Sequence, residues 1–375
     1  MADREAIARQ WLSAIHRLPL ERPVRIMNVC GGHERAISQA GLRSVLPEQV
    51  GLIAGPGCPV CVCPEQDVWL AIRLALDQGV TLVAFGDMLR VPVNVPVGEP
   101  RSLAEAAASG ADVRPVATPV EAVRIARQEP HRQVVFFAAG FETTMAPVAA
   151  TLAEAHLSGQ MPDNFSVLLS GRLTWPAVAK LLDSGQAAFD ALIAPGHVAA
   201  VMGADEWQFV PQQHGLPAAV ASFEPAGLLA AMHSVLAQVI DGVARLDNCY
   251  PEVVRPAGNP VARRWLGEVF RVTDAGWRGI GTMPASGYDW HDDWRELDAR
   301  VRFPVSEDPQ RRRAGDMPPG CDCAKVVLGQ IDPDQCRLYG RACTPRKPVG
   351  PCMVSDEGAC HIWWMSGRRH AEQVA

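Results

Sequence analysis

The chain predicts an α/β fold of two similar open parallel-sheet α/β domains, followed by a small cysteine-rich domain. Three observations carry this. Between about residue 20 and residue 225, short apolar runs alternate with helical patterns. Most of these runs are followed by Gly or Pro and then a helical stretch, the order expected of parallel strands joined by helical crossovers. Six of the eleven cysteines fall in the last 55 residues, where strand and helix periodicity is weak. The length agrees, since 375 residues are too many for one ordinary core and suggest two or three domains.

The opening MADREAIARQWL mixes acids and bases and reads as an amphipathic helix, without the apolar segment of a signal peptide. The strands expected next are Val24–Val29, Gly51–Ala54, Thr81–Phe85, Val113–Ala117, Gln133–Ala138, Ser166–Leu169, Ala191–Ala194 and Ala218–Ala221. Glu65–Asp77 and Pro176–Leu182 are helices between them. Eight strands are enough for one barrel, but two open sheets fit better. The segment RPVATPVEAV, near residue 118, reads as a join between two halves. The expected division is therefore 1–118 for a first α/β domain and 119–224 for a second, with part of 225–300 completing the first. Glu224–Arg245 reads as one long helix, and the stretch from Tyr250 to about Gly287 as mixed α/β. Residues 288–320 are charged and rich in Pro and Gly and read as a linker; the last domain is placed at 301–375.

Composition narrows the function classes. With 48% hydrophobic and 20% charged residues the chain is globular. A net charge of −6 leaves no footprint for nucleic acid or an anionic membrane. The one basic run, Arg311-Arg312-Arg313, reads as solvated linker. No apolar stretch is long enough to span a bilayer. A cytoplasmic location is expected, and there clustered thiols bind metal or do redox chemistry more often than they form structural disulfides.

Two thiol motifs follow neighbouring strands. In Cys30-Gly31-Gly32-His33-Glu34 the glycines permit a sharp turn, and the dipole of the next helix would favour a Cys30 thiolate. His33 is a candidate ligand, proton carrier or supporting partner; the bland alternative is a small buried cysteine in a Gly turn. In Gly55-Pro56-Gly57-Cys58-Pro59-Val60-Cys61-Val62-Cys63-Pro64, Cys58 and Cys61 have the C-x-x-C spacing shared by redox dithiols and metal sites. Cys63 is equally readable as structural. Three thiolates and an imidazole at one sheet edge suit Fe(II) or Zn(II). Gly140-Phe141-Glu142-Thr143-Thr144 also follows a strand, and Glu142 reads either as part of a helix cap or as an acid. His197 reads as a structural histidine. In the tail, Cys321, Cys336, Cys343 and Cys360 are separated by 14, 6 and 16 residues, leaving Cys323 and Cys352 as a second set. Four thiolates suffice for a [4Fe–4S] cluster, with a four-cysteine zinc site as the alternative.

These segments together resemble the HypD family of hydrogenase maturation factors. The resemblance is carried by CGGHE at Cys30–Glu34, GPGCPVCV at Gly55–Val62, FGDMLRVP at Phe85–Pro92 and GFETT at Gly140–Thr144. It continues through PGHV at Pro195–Val198, WRGIG at Trp277–Gly281, and GCDC, CTP and CMVSDEGAC in the tail. Val93 and Ser222 stand where the family pattern has Gly.

The resemblance implies two α/β domains of similar topology plus a cluster domain. It implies an iron scaffold that works with a HypC-type small chaperone, whose N-terminal cysteine holds iron together with Cys30, with His33 close by. A HypE-type partner would bring cyanide as a thiocyanate, CO would be added, and the Fe(CN)2CO group would pass on to the hydrogenase large subunit. Cys321, Cys336, Cys343 and Cys360 would hold a [4Fe–4S] cluster, and Cys323 with Cys352 would form a redox pair facing Cys58 and Cys61. Glu142 and His33 would exchange protons. Such a protein is mainly a redox-active assembly scaffold rather than a turnover enzyme. Two rivals are a cluster-dependent thiol–disulfide oxidoreductase acting on a partner protein and a zinc-structured binding protein.

Overall fold

The computed structural model describes residues 2–185, 187–306 and 316–368; the Arg311-Arg312-Arg313 run lies outside them. Nine strands form two parallel sheets. The first contains β1 (Val24–Asn28), β2 (Val50–Ala54), β7 (Ala191–Pro195), β8 (Ala218–Ala221) and β9 (Leu246–Asn248), in the order β2-β1-β7-β8-β9. The second contains β3 (Thr81–Phe85), β4 (Val113–Val116), β5 (Val134–Gly140) and β6 (Phe165–Gly171), in the order β4-β3-β5-β6. A hairpin of β10 (Phe270–Trp277) and β11 (Gly281–Trp290) is antiparallel.

The apolar runs are legible as strands because the sheets are covered on both faces. Every residue of β5 and of β6 is buried, as parallel sheets require. Alternate residues enter different cores. Val134, Phe136 and Ala138 pack under the helices Pro119–Gln128 and Glu142–Leu157, while Val135, Phe137 and Ala139 face the helix Glu65–Asp77 and the cysteine-rich tail. In the first sheet, Ile26 and Ile193 pack beneath the helices Ala2–His16 and Pro225–Asp241, and Met27 and Leu192 face the buried Trp207.

The domain boundary expected at residue 118 falls inside the second sheet. The chain leaves the first sheet after β2, builds all of β3 to β6, and returns at β7, where Leu192 is the register partner of Met27 on β1. Apolar runs identify strands, but they carry no label for the neighbour a strand will choose. The stretch 225–300 is divided as well. Pro225–Asp241 and β9 complete the first sheet, whereas the helix Pro260–Val269 and the hairpin pack on the second.

Part of the expected linker is ordered against the second sheet. The turn Asp292–Leu297 and the helix Ala299–Arg302 lie beside β6. Arg300 donates to Leu169 O at 2.9 Å and to Asp67 Oδ1 at 2.8 Å. Its charge is spent on a partly buried ion pair with Asp67 rather than on solvent, a distinction that composition does not reveal. Among the described residues no helix is long and apolar enough to cross a membrane.

Candidate metal centre

In open α/β sheets the loops after the strands gather at the carboxyl edges. Here the carboxyl edges of both sheets face one cavity of about 290 Å³, lined among others by Cys30, Gly57, Asp87, Thr144, His197 and Phe223. Cys30 precedes the helix Gly31–Gln39 in extended conformation. Gly57 is pressed against it, and the Gly31 N–H donates to Gly57 O at 3.1 Å. A Cβ on Gly57 would lie 2.5 Å from the Cys30 nitrogen, and one on Gly31 would lie 2.5 Å from Glu357 Cβ in the tail. The two glycines thus let three chain segments meet at one thiol. Gly57→Ala is expected to push the C-x-x-C loop away from Cys30, because backbone clashes have no rotamer escape. We expect a loss of about 2–4 kcal/mol in the urea unfolding free energy, with Gly79→Ala unsuitable as a control because Gly79 has a left-handed φ of 62° and Gly86→Ala, with open space around it, the proper one.

Cys30 is half-buried, and burial pushes its thiol up to about 12, against the opposing pull of the His33 and Gly32 N–H groups. The helix start does favour the thiolate, but desolvation outweighs it. A cation beside the sulfur would reverse that balance.

His33 is fully buried and turned away from the cavity wall. Its Nε2 lies 3.2 Å from Ala221 O, so the N–H there donates to that carbonyl and leaves Nδ1 without a partner. Burial lowers its pKa to about 3, keeping the ring neutral. Phe223 stands between two imidazoles: its ring centre is 4.6 Å from that of His33 and 3.7 Å from that of His197, stacked at 21°. His197, which reads as structural in sequence, is the imidazole that lines the cavity.

Glu142 is also buried rather than presented to the cavity. Its two oxygens accept from the Thr174 N–H and the Thr174 hydroxyl, each at 2.7 Å. It therefore ties together the starts of the helices Glu142–Leu157 and Thr174–Asp183, while Thr143, Thr144 and Thr174 line the cavity. Burial pushes Glu142 from 4.5 up to about 7. A raised carboxyl contributes stability that is complete below its unfolded value and is lost as pH rises through the folded one. Glu142→Gln, which mimics the protonated form, is therefore expected to flatten the stability profile. Relative to the native chain it should gain about 3 kcal/mol between pH 4.5 and pH 8, measured as the difference in urea unfolding free energy.

Cys58 and Cys61 form a disulfide with Cα atoms 5.3 Å apart. Cys58 also caps the short helix Pro59–Val62, its sulfur accepting from the Cys61 N–H at 3.2 Å. In this form neither sulfur is a thiolate, so the pair can ligate a metal only after two-electron reduction. Cys30, the disulfide and Cys352 of the tail all line a second, smaller void, and Glu357 borders both cavities. Glu357 retains solvent contact, yet its partly enclosed carboxyl is pushed up to about 7, with Asp87 adding to the effect. Cys63 points elsewhere, with its sulfur 3.5 Å from Ser170 Oγ beside Asp67.

The tail gathers its thiols into one apolar core. The Cys323, Cys352 and Cys360 sulfurs lie within 4.8 Å of one another, and Cys321 Sγ is 3.2 Å from Cys323 Sγ. Cys336 and Cys343 are buried in the same cluster, and the Val349 N–H donates to Cys343 Sγ at 3.3 Å. The two sets separated by spacing are thus interleaved in space. Hydrogen bonds from Cys323 and Cys360 hold Cys352 well below the usual thiol range, and the bonds that Cys360 makes to Cys323 and Cys352 push it well above. A Cβ on Gly350 would sit 2.5 Å from Cys323 Sγ, so that turn belongs to glycine. Three sulfurs within 4.8 Å of one another, with Cys321 beside them and Cys336 and Cys343 in the same core, provide enough thiols for the four that a [4Fe–4S] group needs, and the donor chemistry fits it.

Sequence reasoning assigned no role to Glu34, Asp87, Glu357 or Trp363, and only a structural one to His197. Glu34 accepts from Arg43 Nη2 at 2.7 Å, Asn28 Nδ2 at 3.1 Å and Trp363 Nε1 at 2.8 Å, and so fastens the tail helix Ala359–Met365 to the helix carrying His33. The available signal was membership in the motifs: all but Trp363 lie inside segments singled out above.

Comparison with known proteins gives the same direction. The family model described as HypD, hydrogenase formation hypA family, matches residues 6–367. The chain is 39% identical to the hydrogenase maturation factor HypD of Azotobacter vinelandii, covering 95% of this chain and 92% of the relative. It is 39% identical to that of Escherichia coli strain K12, over 94% and 91%, and 38% identical to that of Rhodobacter capsulatus, over 98% and 97%. With thiol motifs meeting at one cavity and a match along nearly its whole length, the chain belongs to the HypD family of hydrogenase maturation factors.

Proposed function

We propose that the chain is an iron-carrying scaffold on which the Fe(CN)2CO group of [NiFe]-hydrogenases is assembled. Iron is the cargo. Cys30 binds it from one side, and a HypC-type small chaperone supplies a second thiolate. A HypE-type partner delivers cyanide, and the finished group moves on towards the hydrogenase large subunit, all in the cytoplasm. The observation that carries the reading is the position of Cys30. Its half-buried thiol lines the cavity where the carboxyl edges of both sheets meet, and it also borders the void shared by the disulfide and Cys352.

Release of cyanide from a thiocyanate consumes two electrons: the S–CN bond breaks, and a thiolate and a cyanide ion leave. Thiol–disulfide exchange within this chain can deliver that pair. The Cys352 thiolate attacks the Cys58–Cys61 disulfide, Cys323 resolves the mixed disulfide, and the products are a Cys323–Cys352 disulfide and a reduced Cys58/Cys61 pair. A [4Fe–4S] group held in the domain 301–375 by Cys321, Cys336, Cys343 and Cys360 would supply electrons singly. Cys58 and Cys61, once reduced, are further candidate iron ligands. His33, neutral and buried, supports Phe223 and the Cys30 turn, and Glu142 holds the threonine wall in place.

The test is an infrared spectrum of the chain purified anaerobically with its small chaperone. Two cyanide bands and one CO band are expected. Their absence from a sample with an intact cluster would favour the second reading, a cluster-dependent thiol–disulfide oxidoreductase. The shared void between the disulfide and Cys352 favours that alternative, and multiple turnovers on a disulfide substrate without iron at Cys30 would establish it.

A further inference from the structure

Arg278 follows the buried Trp277 in the turn between β10 and β11, and it is only 1% exposed. A guanidinium removed from water ordinarily faces a carboxylate, because a buried unpaired charge is costly. Arg278 faces carbonyls instead. Its Nη2 donates to Pro92 O at 2.7 Å and its Nε to Asp316 O at 3.1 Å. Among the described residues its Nη1 is buried without a partner. The Asp316 carboxylate is occupied elsewhere, accepting from the Gly279 N–H at 3.2 Å.

The thiol-rich core lies beside this turn. Trp277 belongs to the same apolar core as Cys323, Cys336, Cys343, Cys352 and Cys360, with Cys321 and Ile280 packed against it. A Cβ on Gly279, the next residue, would lie 3.0 Å from Ala324 Cβ, so this turn packs directly against the residue that follows Cys323. The Arg278 N–H donates to Val62 O at 2.9 Å, which fixes the residue between the Cys58–Cys63 loop and the start of the tail.

We propose that Arg278 is the counter-charge of the tail's metal–thiolate group, offsetting the negative charge of four cysteine thiolates and raising the reduction potential of the cluster they hold. The proposal rests on the [4Fe–4S] reading of the tail. Reduction adds one negative charge to an already anionic group in a weakly screened interior. A fixed positive charge there favours the reduced form, and net local charge is one of the levers by which proteins set such potentials. The orphaned Nη1 and the lack of a carboxylate partner among the described residues have a common explanation in an anion that is not a side chain.

The experiment is a spectroscopically monitored redox titration of anaerobically reconstituted native protein, Arg278→Met and Arg278→Lys, with iron, zinc, sulfide and melting temperature measured on each. Arg278→Met removes the charge at similar length. It should shift the oxidised-to-reduced equilibrium at least tenfold towards the oxidised form, 59 mV lower for a one-electron couple. Arg278→Lys keeps the charge but loses the forked bonds to Pro92 and Asp316, so its potential should stay within threefold of native while its melting temperature falls. A loaded Arg278→Met protein with native potential would reduce Arg278 to a staple between segments. If the Met variant does not fold, the Lys variant decides, since a tenfold loss there would overturn the proposal. A tail holding zinc and no sulfide would overturn the cluster reading itself, a result distinct from a loaded cluster whose potential does not move.

Discussion

Cys30→Ala is expected to abolish the cyanide and CO infrared bands of the complex while leaving the chain folded. The side chain is half-buried and makes no hydrogen bond through its sulfur to another side chain among the described residues. Its backbone, held by Gly57, is untouched by the substitution. The stability cost should therefore be about 1 kcal/mol, and the disulfide and tail core should persist. Cys63→Ala is the matched control. Cys63 is 1% exposed and packed against Ser170 on β6, so its loss should cost about 1–2 kcal/mol through the cavity it leaves and keep all the bands. Bands at normal intensity in Cys30→Ala would remove the scaffold role from this residue. Bands lost in both variants would point to general damage to the site.

Glu34→Ala is expected to destabilise the chain strongly, by about 3–5 kcal/mol in urea unfolding. The Glu34 side chain is 1% exposed and its partner Arg43 11%. Removing the carboxylate leaves a nearly buried guanidinium, the Trp363 N–H and the Asn28 amide short of an acceptor together. Trp363 is also held between two cations, with Arg43 5.4 Å and Arg368 4.4 Å from its ring centre. It lies three residues after Cys360 on the same helix, so release of its ring should loosen the thiol cluster and lower the sulfide content after reconstitution. Glu34→Gln keeps an acceptor and the shape, and should lose roughly half as much. A change below about 1 kcal/mol for Glu34→Ala would mean that the tail is held by its apolar core alone.

The chain's local signals were strong where local physics suffices. Eight strands were readable because a parallel strand covered on both faces is a continuous apolar run, and Gly or Pro marks the turn into the next helix. Thr81–Phe85 and Ala218–Ala221 match their expected bounds, as does the helix Glu65–Asp77. The thiol motifs were readable for the same reason: their glycines and spacing are local requirements of a loop that brings backbone close to sulfur. The linker was misjudged because Arg300 and Asp67 look like solvent charges in sequence and are partners only across the fold.

By itself, then, the sequence determined the fold class, the strands, the two N-terminal thiol motifs, the cysteine-rich tail and the family. Tertiary structure alone decided that β3 to β6 form a separate sheet between two halves of the first, that His197 rather than His33 lines the cavity, and that the spacing-defined cysteine sets interleave. It also decided that Glu34 and Arg278 are buried. The physical reason is the range of the interactions. Periodicity and turn chemistry are set by neighbours a few residues away. Strand partners, burial of a charge and the direction in which an imidazole faces are set by surfaces that meet only after the whole chain has packed.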